Sequence, residues 1–340
     1  MERVLKSKYK ITDRLFEDDA SATYKGKNLT NNRSIIVKIF KRSILDGLLI
    51  KNLHKKVTDL SKVDHPNAAA VFDGDYGWQG FYFVRDYVEG EDLWQYLKDQ
   101  KILSPDQIIN IAVQICDAVS AAHKKDVIHG ALKPSNIIIF DDKKLKVTDF
   151  GIESAVRATY YQRADMIYKD ARFMSPEEIS GVFNKKSSDI FKMGLILYLL
   201  TAGQLPFGGE NGLKLALKYM NENIVSPSSK KQNTPKFLDG IIMKALQKDT
   251  LLRFSTIDEL GSSLKARGIV GSKSIDIDAS KINFDNAPEP VKEAKATVVK
   301  QGKKLLSIQA KVFEKKITLA VILAIIAGIV YAFIQVFIGR

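Results

Sequence analysis

The sequence predicts an α+β molecule: a small β-rich lobe, then a larger helical lobe, then one helix of membrane length. Three observations lead there. Up to about Val88 the chain reads in short alternating or β-branched runs. From about Leu93 apolar positions recur at helical spacing. The stretch from Ile317 to Ile338 then carries 22 residues without a charge.

The strand-like part includes SIIVKIF at 34–40 and FYFVRDYV at 81–88, separated by the turn-rich DYGWQG and by one helical stretch from Ser43 to Lys62. In the second part SPDQIINIAVQICDAVSAAHKK opens with Ser104 placed to cap and Pro105 at the first helical position. SSDIFKMGLILYLLTAG ends on Gly203, a residue suited to terminating a helix. From Lys265 to Val291 the helical pattern fades into Gly, Ser, Asp and Pro, as a linker does. The expected organisation is therefore an N-lobe over 1–88, a C-lobe over 89–265, a basic linker over 266–316 and a membrane helix over 317–338.

Of 340 residues 45% are hydrophobic and 27% charged, which excludes wholesale disorder. The single Cys116 forms no internal disulfide, and one thiol with four scattered histidines makes no metal cluster. The net charge of +13 suggests an anionic partner. Its distribution says which: 13 basic residues face 6 acidic ones from Ser262 to Arg340, and no dense basic face with interleaved aromatics precedes them. Nucleic acid is not the expected partner. A lipid bilayer is, because ITLAVILAIIAGIVYAFIQVFI as a helix covers roughly 33 Å. Eight lysines in 292–316 precede this run and Arg340 alone follows it, so a C-terminal anchor with the N-terminal part in the cytoplasm is expected.

Read in order, Val37-Lys38-Ile39, HPN at 65–67, HGALKPSN at 129–136, DFG at 149–151, SPEE at 175–178, Asp189, LPF at 205–207 and Arg253 resemble the eukaryotic-type (Hanks-type) Ser/Thr protein kinase family. The resemblance covers roughly Tyr9 to Ala266. It implies the two-lobed kinase fold, with nucleotide and substrate meeting between the lobes. It further implies Lys38 as the phosphate-binding lysine, Asn136 and Asp149 as magnesium ligands, and Lys133 as the catalytic-loop lysine. Asp189 and Arg253 match architectural residues, the second pairing with Glu177 of SPEE. Lys38 and Asp149 read two ways, as a nucleotide dock or as a pair that merely holds the lobes together.

Against that pattern several positions depart. Ala131 stands where the family has its proton-accepting Asp, and a methyl group accepts no proton. Gly130 replaces the usual Arg. The glycine positions of the phosphate loop fall on Phe16, Asp18 and Ser21, where side chains obstruct close approach and Glu17, Asp18 and Asp19 repel phosphate. Lys56 takes the place of the helix glutamate that normally holds the lysine, so two ammonium groups are expected to push the helix outward. Ile36 and Arg85 narrow the adenine pocket, with Asp149 the expected partner of Arg85. Asp170 stands where the family usually has a threonine bonded to the catalytic Asp.

The expected function is a membrane-anchored pseudokinase, a scaffold or binding module for cytoplasmic signalling proteins, with no cofactor and no catalytic residue. The alternative is an atypical serine/threonine kinase of low activity, using ATP and magnesium at Lys38, Asn136 and Asp149 without the usual base.

Overall fold

Strands that bury both faces read as nearly continuous β-branched and aromatic runs, as SIIVKIFK and GFYFVRD do, whereas YKITDRLFE is exposed from Thr12 onward. The computed structural model describes residues 3–77, 79–99, 103–141, 144–160, 168–183, 185–208 and 212–269. Strands β1 (Arg3–Leu5), β2 (Tyr9–Glu17), β3 (Ser21–Asn28), β4 (Ser34–Lys41), β5 (Val71–Gly77) and β6 (Gly80–Asp86) form an antiparallel sheet in the order β1-β2-β3-β4-β6-β5. On β4, Ile35, Val37 and Ile39 pack with Tyr9, Ile11, Tyr82 and Val84 on one face. By the two-residue period of a strand, Ile36, Lys38 and Phe40 take the other. That parity turns Lys38 toward the second lobe.

Helix α1 (Gly47–Leu60) crosses from β4 to β5 and buries Leu49, Leu53, Val57 and Leu60, one stripe at helical spacing. It starts later than Ser43 because the Asp46 carboxylate caps it, accepting from the Leu49 amide at 2.7 Å, while Arg42–Ile44 form a separate 3₁₀ turn. Strand β6 likewise ends at Asp86, two residues before the expected Val88.

The second lobe is built around α3 (Pro105–His123) and α6 (Lys186–Ala202), with α2 (Leu93–Asp99), α4 (Ile152–Tyr160), α5 (Pro176–Ile179), α7 (Gly212–Asn221), α8 (Lys236–Ala245) and α9 (Ile257–Lys265) around them. Ser104 and Gln107 form a reciprocal capping box on α3, with Pro105 in its first turn. Helix α6 is buried on nearly every side and stops at Gly203, whose φ of +73° is the left-handed conformation that glycine adopts freely. A small sheet of β7 (Glu91–Asp92), β8 (Ile137–Phe140) and β9 (Lys144–Val147) lies beside the interlobe cleft. Helical periodicity hid it, because its strands are so short.

Both lobes belong to one compact unit, Met1–Lys273. No helix among the described residues is long and apolar enough to cross a membrane. The 317–338 run lies outside the described residues, as do 270–316 of the linker and 161–167.

Candidate functional site in the interlobe cleft

The cleft is assembled by three pieces of chain. Strand β4 supplies Ile36 and Lys38, β6 supplies Arg85 directly opposite Ile36 in the ladder, and the turns flanking β8 and β9 supply Ala131, Lys133, Asn136 and Asp149. Asp149 has φ +61°, a conformation costly for a residue with a side chain, and the contacts around it hold it there.

Both oxygens of Asp149 are engaged. Oδ1 accepts from Arg85 Nε at 2.8 Å, and Oδ2 accepts from Lys38 Nζ at 3.3 Å. Lys38 donates at 2.8 Å to Glu153 Oε1, while Lys133 Nζ lies 3.0 Å from the other Glu153 oxygen. Two carboxylates thus share three cations in a site that is nearly closed to water. Burial alone would pull Lys38 down, yet Glu153 and Asp149 outweigh it and hold the ammonium above the usual lysine range. Burial likewise pushes Asp149 up, and Arg85 and Lys38 together bring it below the usual aspartate value. Both shifts favour the charged forms, so Lys38 stays an ammonium and Asp149 a carboxylate at neutral pH.

Glu153 was not picked out from the sequence. Its signal was positional: it sits in the first turn of α4, four residues after Asp149. The chain places the acid that Lys38 binds on α4 rather than on α1. Lys56 on α1, at the position expected to repel Lys38, instead runs along the glycine of the DFG turn. A methyl placed on Gly151 would stand 3.4 Å from Lys56 Cδ and 3.9 Å from its Nζ. Burial there lowers the affinity of Lys56 for its proton. Helix α1 packs on α4, and the expected outward thrust is replaced by a rearrangement of partners.

The loop between β2 and β3 also differs from its expected electrostatics. Asp18 Oδ1 accepts from the amides of Ala20 and Ser21 at 2.8 and 2.6 Å, so the carboxylate ties up loop amides that a phosphate would need. Glu17 pairs with Arg14 and with Lys41 at 2.5 and 3.0 Å, and this neutralises part of the repulsion read from the sequence.

Ala131 is 3% exposed and brings no polar side-chain atom. Its carbonyl accepts from Asn136 Nδ2 at 2.9 Å. Gly130 has φ +67°, and a Cβ there would lie 2.4 Å from Ser154 Cβ, so α4 occupies the space that a larger residue would need. Asp170 falls in the 3₁₀ turn Tyr168–Phe173, and its side chain lies outside the described residues.

Beneath the cleft, Asp189 accepts from the amides of His129 and Gly130 at 2.8 and 2.7 Å and from His123 at 2.8 Å. Arg253 makes a two-pronged pair with Glu177, both distances 2.7 Å. Lys192, absent from the sequence reading, joins Glu178 to the Gly130 carbonyl. Burial drives the His129 imidazole down to about 4.

The residues do not fit magnesium: the Asp149 oxygens that would bind it already hold a guanidinium and an ammonium. Among the described residues no group of three or more His, Cys, Asp or Glu side chains is arranged to hold a metal.

This architecture is that of the two-lobed kinase fold. The protein kinase domain family matches residues 9–263, and the chain belongs to that family. The serine/threonine-protein kinase PrkC of Bacillus subtilis is 31% identical over 245 residues, covering 71% of this chain and 38% of that protein. A probable serine/threonine-protein kinase of Clostridium perfringens is 29% identical over 264 residues, 77% of this chain and 38% of its own length. A crystal structure of Rad53 residues 1–466 in complex with AMP-PNP superposes with a TM-score of 0.63 at 23% identity, over 75% of this chain and 64% of that one. The chain thus spans less than half the length of the two curated relatives.

Proposed function

We propose that this protein is a catalytically silent member of the kinase family, a signalling scaffold or binding module whose cleft is closed by its own side chains. One observation carries the reading: Asp149 is neutralised from both sides by Arg85 and Lys38, while the base position holds the methyl group of Ala131. A divalent cation entering there must displace two cations that are already paired and desolvated.

The relatives favour a second reading, because those just described are named as serine/threonine kinases. In that reading Lys38, Asn136 and Asp149 bind ATP with magnesium and transfer phosphate slowly without a base, as the loose transition state of phosphoryl transfer permits. Family membership does not restore the carboxylate that position 131 lacks, and for that reason the silent reading is preferred.

Residues 1–273 incubated with labelled ATP and magnesium are expected to incorporate no phosphate above an Asp149→Ala control. Incorporation that disappears in the control establishes the second reading. At millimolar ATP a Kd near 100 μM adds about 1.4 kcal/mol of stability, a melting shift of a few degrees. No such shift is expected for the wild type, and one should emerge in Arg85→Met with Lys56→Glu.

Attachment to a bilayer through 317–338 is part of this proposal. The full chain should fractionate with membranes, and truncation after Gly302 should release it; a chain that stays soluble without detergent refutes the anchor.

A further inference from the structure

Away from the cleft, a cavity of about 440 Å³ opens between α2 and the C-terminal end of α6. This size is ordinary for a small-molecule site. Its wall is mainly apolar, with Trp94 and Leu97 from α2 facing Ala202 at the end of α6. Three polar features break that wall. Lys98 and Lys231 both line it, and neither makes an ion pair among the described residues. Thr201 is 2% exposed, and its hydroxyl has no hydrogen-bond partner among the described residues. A helical threonine commonly bonds back to a carbonyl one turn earlier, so a buried hydroxyl left unpaired is a departure that asks for a partner. Among the described residues no acidic side chain lines the cavity.

We propose that this cavity binds a small amphipathic carboxylate, its apolar body against Trp94, Leu97 and Ala202 and its anionic head between Lys98 and Lys231, within reach of Thr201. Sign and shape both select that class. The end of α6 by itself favours cations, and the two lysines provide them, so a carboxylate rests on ammonium groups rather than on helix carbonyls. Gly203 already satisfies the Leu199 carbonyl, with its amide at 2.8 Å. The site lies outside the nucleotide cleft and stands whether or not the cleft is catalytic.

Trp94 supplies the readout. Its ring meets Phe173 edge-on, with centroids 6.0 Å apart, and the chain has only 2 tryptophans. In residues 1–273 carrying Trp78→Phe, Trp94 is the sole reporter. Titration with sodium decanoate below its micellar concentration should give a saturable change in its emission. Affinity should fall about tenfold in the Lys98→Gln/Lys231→Gln double variant, as expected for loss of charge-assisted contacts. Thr201→Val should weaken it, and Ala202→Leu, which fills the cavity, should abolish it; circular dichroism confirms that each variant is folded. Decanol or decyltrimethylammonium binding as well as decanoate overturns the proposal by showing an unselective greasy surface. An unchanged affinity in the double variant, or no saturable change at all, overturns it equally.

Discussion

Two buried polar networks in this protein are built differently: the one beneath the cleft keeps the family's residue types, and the one in the cleft brings in Arg85 and Glu153. Beneath the cleft each carboxylate has partners of its own: Glu177 takes Arg253, and Asp189 takes His123 and the amides of His129 and Gly130. In the cleft, charges are shared: Asp149 and Glu153 distribute themselves over Lys38, Arg85 and Lys133. A one-to-one buried pair is indispensable, because removing either member strands the other in a medium that cannot solvate it. A shared cluster tolerates loss, because each carboxylate keeps another cation. The Glu177 carboxylate of the frame thus rests on a single guanidinium, while each carboxylate of the site touches two cations.

The largest expected effect tests the frame. Arg253→Ala should cost about 3–5 kcal/mol in urea unfolding of residues 1–273, since it leaves Glu177 without its guanidinium. A loss below 1 kcal/mol would remove the distinction between the two networks.

The next effect is one of pH. His129 has a folded-state value of about 4, depressed from 6.5 by burial, so the unfolded chain binds more protons between these values. Its contribution is complete above pH 6.5 and is lost as pH falls toward 4, by about 3 kcal/mol in all at 1.36 kcal/mol per unit. Glu177 and Asp189, held below their usual values by Arg253 and His123 despite burial, add a loss of the same sign at lower pH. Denaturation at stepped pH should show this slope, and His129→Gln should flatten it above pH 4.5.

A smaller effect tests how α4 sits against the catalytic loop. Gly130→Ala should destabilise by about 1–2 kcal/mol, because position 130 is left-handed and a Cβ there meets Ser154. Combined with Ser154→Gly, the two changes should be non-additive by at least about 0.5 kcal/mol. Strict additivity would mean that α4 does not press on Gly130.

The smallest effect is the sharpest test of sharing. Lys38→Met should cost at most about 1 kcal/mol, because Asp149 retains Arg85 and Glu153 retains Lys133. A cost equal to that of Arg253→Ala would show that the cleft network is as inflexible as the frame.

The sequence by itself determined the elements whose causes are local. Ser104 with Pro105 starts α3, Gly203 ends α6, and β4 carries Lys38 on its cleft face by simple alternation. The same holds for positions in an ordered motif: Ala131, Asp149, Asn136, Glu177 and Arg253 were legible because motif spacing fixes where they stand in the fold. The tertiary structure alone decided which charges meet. Glu153 reaches Lys38 from 115 positions away in the chain, Lys56 turns to Gly151 rather than to Lys38, and Asp18 spends its carboxylate on its own loop. Charge attraction has no sequence period. Its partners are chosen by which side chains the packed lobes bring within reach once water is excluded, and that choice belongs to the folded chain as a whole.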